Sequence, residues 1–281
     1  EHGIYLDGDG NNLINITANN NFQIGIYVYS SLNNLSDVTA NSNSYYGIYF
    51  HGGFADNNIL TRIIANSNLN AIYFKKVTLP MGGGTIIPED NSFYSVTIND
   101  SRSSAIYIEG ANNTIFQNIT ITNTNSSQYD LVGNGAGNYL IDTPIANYSF
   151  EGEVTFYFKD TNEGEIKFLS SIGGASGTNL SNDVRIGNNS VYVNPAITGL
   201  NKSANISLYN IGNRGFTTPT ILKDGIACGS SCYNFTALNA STVVFNVSSW
   251  SNYSIGEGAT NLLTQCGNLT LANTIYYLQN N

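Results

Sequence analysis

One tetrapeptide recurs at intervals of 22 residues near the start of the chain: Gly3-Ile4-Tyr5-Leu6, Gly25-Ile26-Tyr27-Val28 and Gly47-Ile48-Tyr49-Phe50. Two looser copies follow at Ala71-Ile72-Tyr73-Phe74 and Ala105-Ile106-Tyr107-Ile108, and a worn sixth copy at Asp130-Leu131-Val132. The long interval before Ala105 contains an insertion at roughly residues 75–90. A fixed period of this length is typical of proteins built from stacked repeats.

Each repeat predicts two or three short strands rather than a helix. Apolar and polar residues alternate, and Asn, Ser or Gly residues separate the runs. A period of 22 residues is too short for a strand-helix-strand unit and lacks the pattern of a leucine-rich repeat. We therefore predict one coil of a parallel β-helix per repeat, in which each strand lies above the equivalent strand of the previous coil.

Stacking turns each repeated position into a column. The isoleucines of the tetrapeptide are predicted to form a buried column, and the tyrosines that follow them an outward one, because side chains alternate along a strand: Tyr5, Tyr27, Tyr49, Tyr73 and Tyr107. A column of asparagines is predicted at one turn, since asparagine tolerates a left-handed backbone and stacked amides can hydrogen-bond: Asn19, Asn41, Asn66, Asn99 and Asn123.

On these repeats, residues 3–142 resemble the right-handed parallel β-helix repeat proteins that are common among archaeal and bacterial surface proteins. Similar coils occur in a periplasmic copper-delivery family. The resemblance covers about half of the chain and implies a fold but no particular function, because lyases, adhesins and structural rods share this scaffold. Copper delivery is not expected, since His2, His51 and Met81 are scattered along the sequence.

The rhythm stops near residue 144, and the later strands are longer and not repeated. Several short strands over some 110 residues are typical of an antiparallel, immunoglobulin-like β-sandwich. The segment 245–256 is similar to the last strands of sandwich modules that follow β-helices in archaeal surface proteins. That resemblance implies a disulfide between Cys228 and Cys232. The predicted strands are Glu153–Phe158, Glu165–Leu169, Val184–Val193, Ala204–Ile211, Thr220–Leu222 and Thr242–Val247.

The last segment is predicted to begin another β-helix, in which the strand Ile275–Leu278 has no sheet of its own within the chain. The first repeat, at the other end, starts inside a coil. The sequence thus predicts a parallel β-helix at 1–144, a β-sandwich at 145–258 and a strand extension at 259–281 that packs on a neighbouring copy. Copies would join head to tail, either as separate chains of a filament or as repeats of one tandem polypeptide, and Cys266 could form an inter-subunit bridge.

Composition argues against several kinds of partner. The 281 residues carry a formal net charge of −9, and only 10% of the side chains are charged. Such a chain gains nothing from counterion release on a phosphate backbone, so nucleic acid is not an expected partner, and anionic membranes would repel it. No apolar run is long enough to span a membrane, and no signal peptide opens the sequence.

Sixteen Asn-X-Ser/Thr sequons predict N-linked glycans and therefore an extracellular or cell-surface protein. The alternative explanation is chance, because asparagine fills 44 positions. The sequons are Asn15, Asn34, Asn99, Asn112, Asn118, Asn125, Asn147, Asn179, Asn188, Asn201, Asn205, Asn234, Asn239, Asn246, Asn252 and Asn268. We expect sugar chiefly at Asn34, Asn118, Asn205, Asn234 and Asn246.

Two further candidate sites each have a plainer explanation. Asp7, Asp9 and Asn11 alternate as in the first part of a calcium-binding loop, but the closing glutamate is missing and an acidic turn would look the same. No other cofactor is predicted. The tyrosine column could stack sugars of an extracellular polysaccharide, or its rings could pack on one another from coil to coil.

Enzyme chemistry is not predicted. A polysaccharide lyase needs a base beside stacked carboxylates, and the β-helix offers basic residues without such a stack: Arg62, Lys75, Lys76 and Arg102. A glycosidase needs two facing carboxylates, and Asp100 and Glu109 are the only near pair. We predict a non-enzymatic, glycosylated structural protein of a surface fibre or surface layer. The alternative is a carbohydrate-binding adhesin that uses the tyrosine column, and a lyase is more distant.

Overall fold

The computed structural model describes residues 1–123, 128–174 and 179–258, and two short strands at 261–263 and 276–278. Almost all of its regular structure is β. The strands of the repeat region are β1 (Ile4–Leu6), β2 (Asn12–Thr17), β3 (Ile24–Val28), β4 (Asn34–Thr39), β5 (Tyr46–His51), β6 (Ile59–Ile64), β7 (Asn70–Lys75), β8 (Val77–Thr78), β9 (Thr85–Ile86), β10 (Ser92–Asn99), β11 (Ser104–Ile108), β12 (Ile115–Thr122) and β13 (Tyr129–Ile141).

The tetrapeptides stack in parallel and in register, as the repeat predicted. Strands β1, β3, β5, β7 and β11 form one such row, here called the tyrosine side, in which isoleucine lies opposite isoleucine and tyrosine opposite tyrosine. In β13, Leu131 lies opposite Ile106 and Val132 opposite Tyr107, which confirms the worn sixth copy. The predicted buried column is confirmed for Ile26, Ile48, Ile72 and Ile106, all at 0% exposure; Ile4 is partly exposed.

A second row of parallel strands closes each coil. Strands β2, β4, β6, β10 and β12 pair in register, and each contains one residue with positive φ near its middle: Asn15, Asp37, Arg62, Ser95 and Asn118. Two more left-handed positions recur in register in the coils, one of them at Gly10, Leu32, Asn57, Asp90, Asn113 and Gly137, the other at Asn20, Ser42, Ser67 and Asp100. Each coil therefore turns at three corners.

Asparagine ladders tie the coils together at the corners. The predicted ladder is present from Asn19 to Asn99, because the backbone N–H of each next member donates to the side-chain oxygen of the previous one at 2.7–2.8 Å. Asn123 does not continue it. Its Oδ1 accepts from the Ser101 N–H, so it extends a different ladder, formed by Asn21, Asn43 and Asn68.

A third ladder is formed by Asn11, Asn33, Asn58 and Asn91. Here both the backbone N–H and the side-chain Nδ2 of each member donate to Oδ1 of the next, at 2.9–3.0 Å. Asn33, Asn58 and Asn91 are buried with these bonds made, which is how polar groups are tolerated in an interior. Aromatic rings fill the neighbouring core in two stacked pairs, Phe50 on Phe74 and Phe93 on Phe116.

The insertion forms an antiparallel hairpin of β8 and β9, with a 3-10 turn at Pro80–Gly82. The remaining elements are β14 (Tyr148–Asp160), β15 (Gly164–Phe168), β16 (Ile172–Gly174), α1 (Leu180–Asp183), β17 (Val184–Gly187), β18 (Ser190–Val193), β19 (Ala204–Leu208), 3-10 turns at Gly212–Arg214 and Gly229–Ser231, β20 (Pro219–Lys223), β21 (Ile226–Ala227), β22 (Cys232–Asn234), β23 (Val243–Val247), β24 (Asn252–Glu257), β25 (Asn261–Leu263) and β26 (Tyr276–Leu278).

Strand pairing changes from parallel to antiparallel at β14, which pairs parallel with β13 and antiparallel with β15 and β16. The sheet continues through β19, β23 and β22, and a second antiparallel sheet contains β17, β18, β24, β20 and β21. Buried residues of both sheets belong to one core, in which Phe245 of the first sheet lies 6.2 Å from Tyr253 of the second between ring centroids.

Two sequence expectations for this part need correction. The predicted strand Val184–Val193 is a hairpin, because Asn189 at its centre adopts a left-handed turn and β17 folds back on β18. The strand predicted at Ile275–Leu278 does have a partner within the chain, since Tyr276–Leu278 pairs in parallel with Asn261–Leu263. A disulfide joins Cys228 and Cys232, whose Cα atoms are 5.9 Å apart. Among the described residues, no helix has the length and apolar character needed to cross a membrane.

Candidate functional site

The tyrosine side carries a continuous run of aromatic rings. Neighbouring rings of the column have centroids 4.8–5.5 Å apart: Tyr5 on Tyr27, Tyr27 on Tyr49, Tyr49 on Tyr73 and Tyr73 on Tyr107. The planes of Tyr49 and Tyr73 differ by only 4°. The rings therefore pack on one another from coil to coil, and this contact covers much of the ring faces that a sugar would need.

Sequence reasoning missed aromatic side chains that widen this surface. Tyr46 stacks on Tyr73 at 4.5 Å and on Tyr49 at 5.2 Å. At the other end of these strands, the ring centroid of Tyr29 lies 5.2 Å from that of His51 and 5.0 Å from that of Phe54. The available signal was position: Tyr46 directly precedes the tetrapeptide, where the neighbouring coils carry Ile24 and Asn70.

A groove of about 340 Å³ opens beside Tyr46. Ile24, the residue in register with Tyr46 in the preceding coil, also lines the groove and has a smaller side chain than tyrosine. The groove is lined mainly by Gln23, Tyr27, Tyr46, Tyr49, Tyr73 and Lys75. Its walls are thus aromatic, with a few polar groups, which is a common composition for a small ligand site.

Lys75, the last residue of β7, belongs to a polar network at the edge of the tyrosine side. The Lys75 Nζ donates to both carboxylate oxygens of Glu109, at 2.6 and 2.9 Å, and the Tyr73 hydroxyl donates to the same carboxylate at 2.7 Å. Burial opposes ionisation of Glu109, but the hydrogen bonds from Lys75 and Tyr73 outweigh it and hold the pKa of this carboxyl below its ordinary value. The network therefore contains one paired cation and one paired anion.

Burial shifts the pKa values of four phenols that line the groove. Burial raises the pKa of Tyr27 to about 12. Burial also raises the pKa of Tyr46, Tyr49 and Tyr73 above that of a free tyrosine. The groove consequently presents hydroxyl groups rather than phenolate charges at neutral pH.

The asparagines of the sequons differ in their exposure to solvent. Asn15, Asn34, Asn118, Asn179, Asn188, Asn234, Asn239 and Asn252 are exposed. Among the described residues of the repeat region, the sequons occupy corners and the second row of strands, and the strands of the tyrosine side contain none. Asn125 and Asn268, and also Cys266, lie outside the described residues.

Other sequon side chains are already engaged. Asn246 donates to the Ala204 carbonyl and to Asn205 Oδ1, both at 3.1 Å, across neighbouring strands. Asn112 donates to Glu89, and Asn147 donates to the Gln128 carbonyl. Asn201 accepts from the Trp250 N–H, and Asn99 is half-buried at its corner. Asn205 and Asn246 are therefore poorer acceptors than the sequence indicated, although occupancy at every sequon remains a prediction.

The calcium candidate lies on an exposed corner. Asp9 Oδ1 accepts from the Ser31 N–H at 2.7 Å, and the Asn11 amide donates to Asn33 within the third ladder. Asp7 is exposed. Within the described part of the chain, no three His, Cys, Asp or Glu side chains come together as a metal-binding group. Calcium at Asp7, Asp9 and Asn11 stays a prediction.

Most basic residues considered for lyase chemistry have structural partners. Arg62 forms a two-point ion pair with Asp37, Arg102 donates to the carbonyls of Asn43 and Ser44, and Lys75 pairs with Glu109. Lys76 follows Lys75 at the base of the hairpin. Asp100 and Glu109 lie beyond opposite ends of β11, so they do not face each other from neighbouring strands.

The structure also shows where the histidines and the methionine considered for copper lie. His2 and His51 both pack against Tyr27, with centroids 5.1 and 5.9 Å away. Met81 is fully exposed at the hairpin turn.

Comparison with known proteins adds little to this geometry. No family model matches the sequence, and no curated protein matches it either. Among solved structures, the crystal structure of the Dettilon tailspike protein is similar with a TM-score of 0.39 and 13% identity. The match covers 89% of this chain and 63% of that chain, so this chain spans less than two thirds of its length. A likeness of this size carries no function over to this protein.

Proposed function

We propose that this protein is a non-enzymatic structural component of a cell surface or an extracellular fibre. In this proposal residues 1–144 form a right-handed β-helical rod, residues 145–258 form an immunoglobulin-like sandwich, and residues 259–281 pack on a neighbouring copy. N-linked glycans at exposed sequons and the Cys228–Cys232 disulfide suit an oxidising, extracellular setting. An archaeal source remains part of the prediction.

The observation that carries this proposal is the uninterrupted stacking of equivalent residues. The same coils are joined by backbone pairing, by three asparagine ladders, by a buried isoleucine column and by stacked tyrosines. Each of these contacts connects one coil to the next. A chain that devotes its periodic residues to such contacts is suited to holding a fixed length and shape.

Assembly of copies is the second part of the proposal. The pairing of Asn261–Leu263 with Tyr276–Leu278 is parallel, like the pairing inside the coils, which favours a coil-like element in the last segment. Light scattering and negative-stain electron microscopy of the purified chain test the assembly. We expect the mass to rise with concentration and rods of constant width to lengthen. Particles that keep the mass of one chain at every concentration would contradict head-to-tail joining.

A carbohydrate-binding adhesin is the second candidate, and the groove beside Tyr46 is the observation that favours it. Most of the tyrosine column stacks on itself, so the column as a whole is better explained by packing. The groove differs because it is a concave, aromatic-walled space with polar groups at hand. A lyase remains the most distant candidate, and the partners found for Arg62, Arg102 and Lys75 do not favour it.

A further inference from the structure

We propose that the groove beside Tyr46 binds one or two rings of a neutral saccharide, which makes it a specific site rather than a general aromatic surface. This inference builds on the adhesin candidate and is independent of the structural role. It rests on the shape of the groove, on the pairing of its charges and on the placement of the sequons.

The shape limits the size of the ligand. A volume of about 340 Å³ lies at the lower end of the range for small-molecule sites, roughly 300–1,000 Å³, so the groove suits one or two sugar rings rather than a long chain. Tyr46 is the one aromatic residue at its position in the stack from β3 to β11, since Ile24, Asn70 and Ser104 occupy that position in the other coils. The ring of Tyr46 therefore borders open space on the Ile24 side.

The polar groups suit hydroxyl-rich ligands. Gln23 supplies an amide that can both donate and accept, and the hydroxyls of Tyr27, Tyr46 and Tyr49 can do the same, whereas the Tyr73 hydroxyl already donates to Glu109. Aromatic rings beside such groups suit a sugar, whose C–H faces are apolar and whose edges are polar. An ordinary apolar ligand would leave these hydroxyl and amide groups without partners, at a cost in binding free energy.

The charges favour a neutral sugar over an acidic one. Lys75 is the cation of the groove, and its Nζ lies 2.6 Å from Glu109, so the pair presents no net positive charge. The chain as a whole is acidic, at −9. A uronate carboxylate would have to compete with Glu109 for Lys75 and would meet repulsion from the rest of the protein.

The sequons whose asparagines the structure describes lie away from the tyrosine side of the repeat region. No sequon falls within β1, β3, β5, β7 or β11, whereas Asn15, Asn34 and Asn118 are exposed on the second row of strands or its corners. Glycans attached there would project from the other sides of the coil. The groove would thus remain accessible in a glycosylated protein.

The test is a titration of the full 281-residue chain, by calorimetry and saturation-transfer NMR, with neutral disaccharides and with disaccharides in which one ring is a uronate. We expect binding of at least one neutral disaccharide and about tenfold weaker binding of its uronate counterpart. Tyr46→Ala should weaken neutral binding about tenfold, the scale of a lost aromatic contact. Gln23→Ala is a second variant, which removes the amide of the groove and leaves the stacked rings in place. Tyr94→Ala, on β10 outside the tyrosine side, is the matched control and should change affinity less than twofold.

Glu109→Gln tests the charge argument separately. Removing the carboxylate leaves Lys75 without its anion, so affinity for the uronate disaccharide should rise several-fold while neutral binding changes little. If the wild-type chain binds only uronates, the proposed ligand class is wrong although the adhesin candidate survives. If it binds neither class at millimolar concentration, or if Tyr94→Ala lowers affinity as much as Tyr46→Ala, the site itself is refuted.

Discussion

At the scale of single residues, buried asparagines distinguish this protein from one held together by apolar contacts alone. Asn58 makes every hydrogen bond available to its amide: it donates to the Ser30 carbonyl and to Asn91, and it accepts from the backbone and side chain of Asn33. An amide placed in this way fixes the register of three coils at once, because Ser30 and Asn33 belong to the preceding coil and Asn91 to the following one.

Replacing Asn58 by alanine should therefore destabilise the fold. The change leaves the buried N–H groups of Asn33 without an acceptor, at a cost of about 1–3 kcal/mol in the free energy of unfolding. Urea unfolding followed by circular dichroism measures it. Asn34→Ala, at an exposed position of β4, is the matched control and should stay within about 0.5 kcal/mol of wild type. Equal effects of the two variants would show that the ladder adds no stability.

The Glu109 network predicts a pH dependence with a definite sign. Because the pKa of Glu109 in the folded protein lies below the ordinary value of 4.5, its ionised form stabilises the fold above that pH. This contribution is lost as the pH falls through the folded pKa. Wild type should have a higher urea midpoint than Glu109→Gln at pH 7, and the gap should close below about pH 4.5. A gap that is unchanged at low pH would contradict the assigned network.

At the scale of elements, the sequence predicted the columns formed by repeated residues. It did not predict the contacts that depend on the exact register between coils. The columns of isoleucine and tyrosine followed from the tetrapeptide, because a strand of period two allows only one alternation. The sequence does not show which of two adjacent asparagines is buried: Asn33 is buried and Asn34 exposed, yet Asn57 is exposed and Asn58 buried. The length of the corner before the pair determines which asparagine is buried, because one residue more or less exchanges the two positions.

The groove shows the same limit of sequence reasoning. Tyr46 lies outside the repeated tetrapeptide, and its stacking on Tyr73 depends on how the start of β5 lies against the next coil. Asn123 was assigned to the wrong ladder for a similar reason, since the last corner is one residue shorter than the equivalent corner before it. Such shifts leave no mark in composition or period.

The isoleucine column should contribute strongly to the stability of the coils. Ile72 is fully buried in β7 between Ile48 and Ile106, so Ile72→Ala should cost about 2–5 kcal/mol in the free energy of unfolding. Ile64→Ala is the control, because Ile64 in β6 is 42% exposed and its loss should cost little. Guanidinium denaturation monitored by circular dichroism measures both. A small effect at Ile72 would mean that the coils are not closely packed there.

At the scale of the whole molecule, sequons and the tyrosine side occupy different faces of the repeat region. Peptide mapping by mass spectrometry of chain exported from an N-glycosylating host should find sugar at exposed sequons such as Asn15, Asn34, Asn118 and Asn234. Asn205 and Asn246 should be largely bare, because their amides pair across β19 and β23. Full occupancy of that pair with no sugar at the exposed sequons would contradict the surface described here.

The stacked coils also predict a distinctive mechanical response, since most contacts of a coil are with its neighbours. Pulling single chains from both ends with optical tweezers tests the central claim most directly. We expect the repeat region to resist and then to release in successive steps of about 75 Å, the extended length of one 22-residue coil. Extension of residues 1–144 in a single step, or without measurable resistance, would contradict a rod built from coils that hold one another in place.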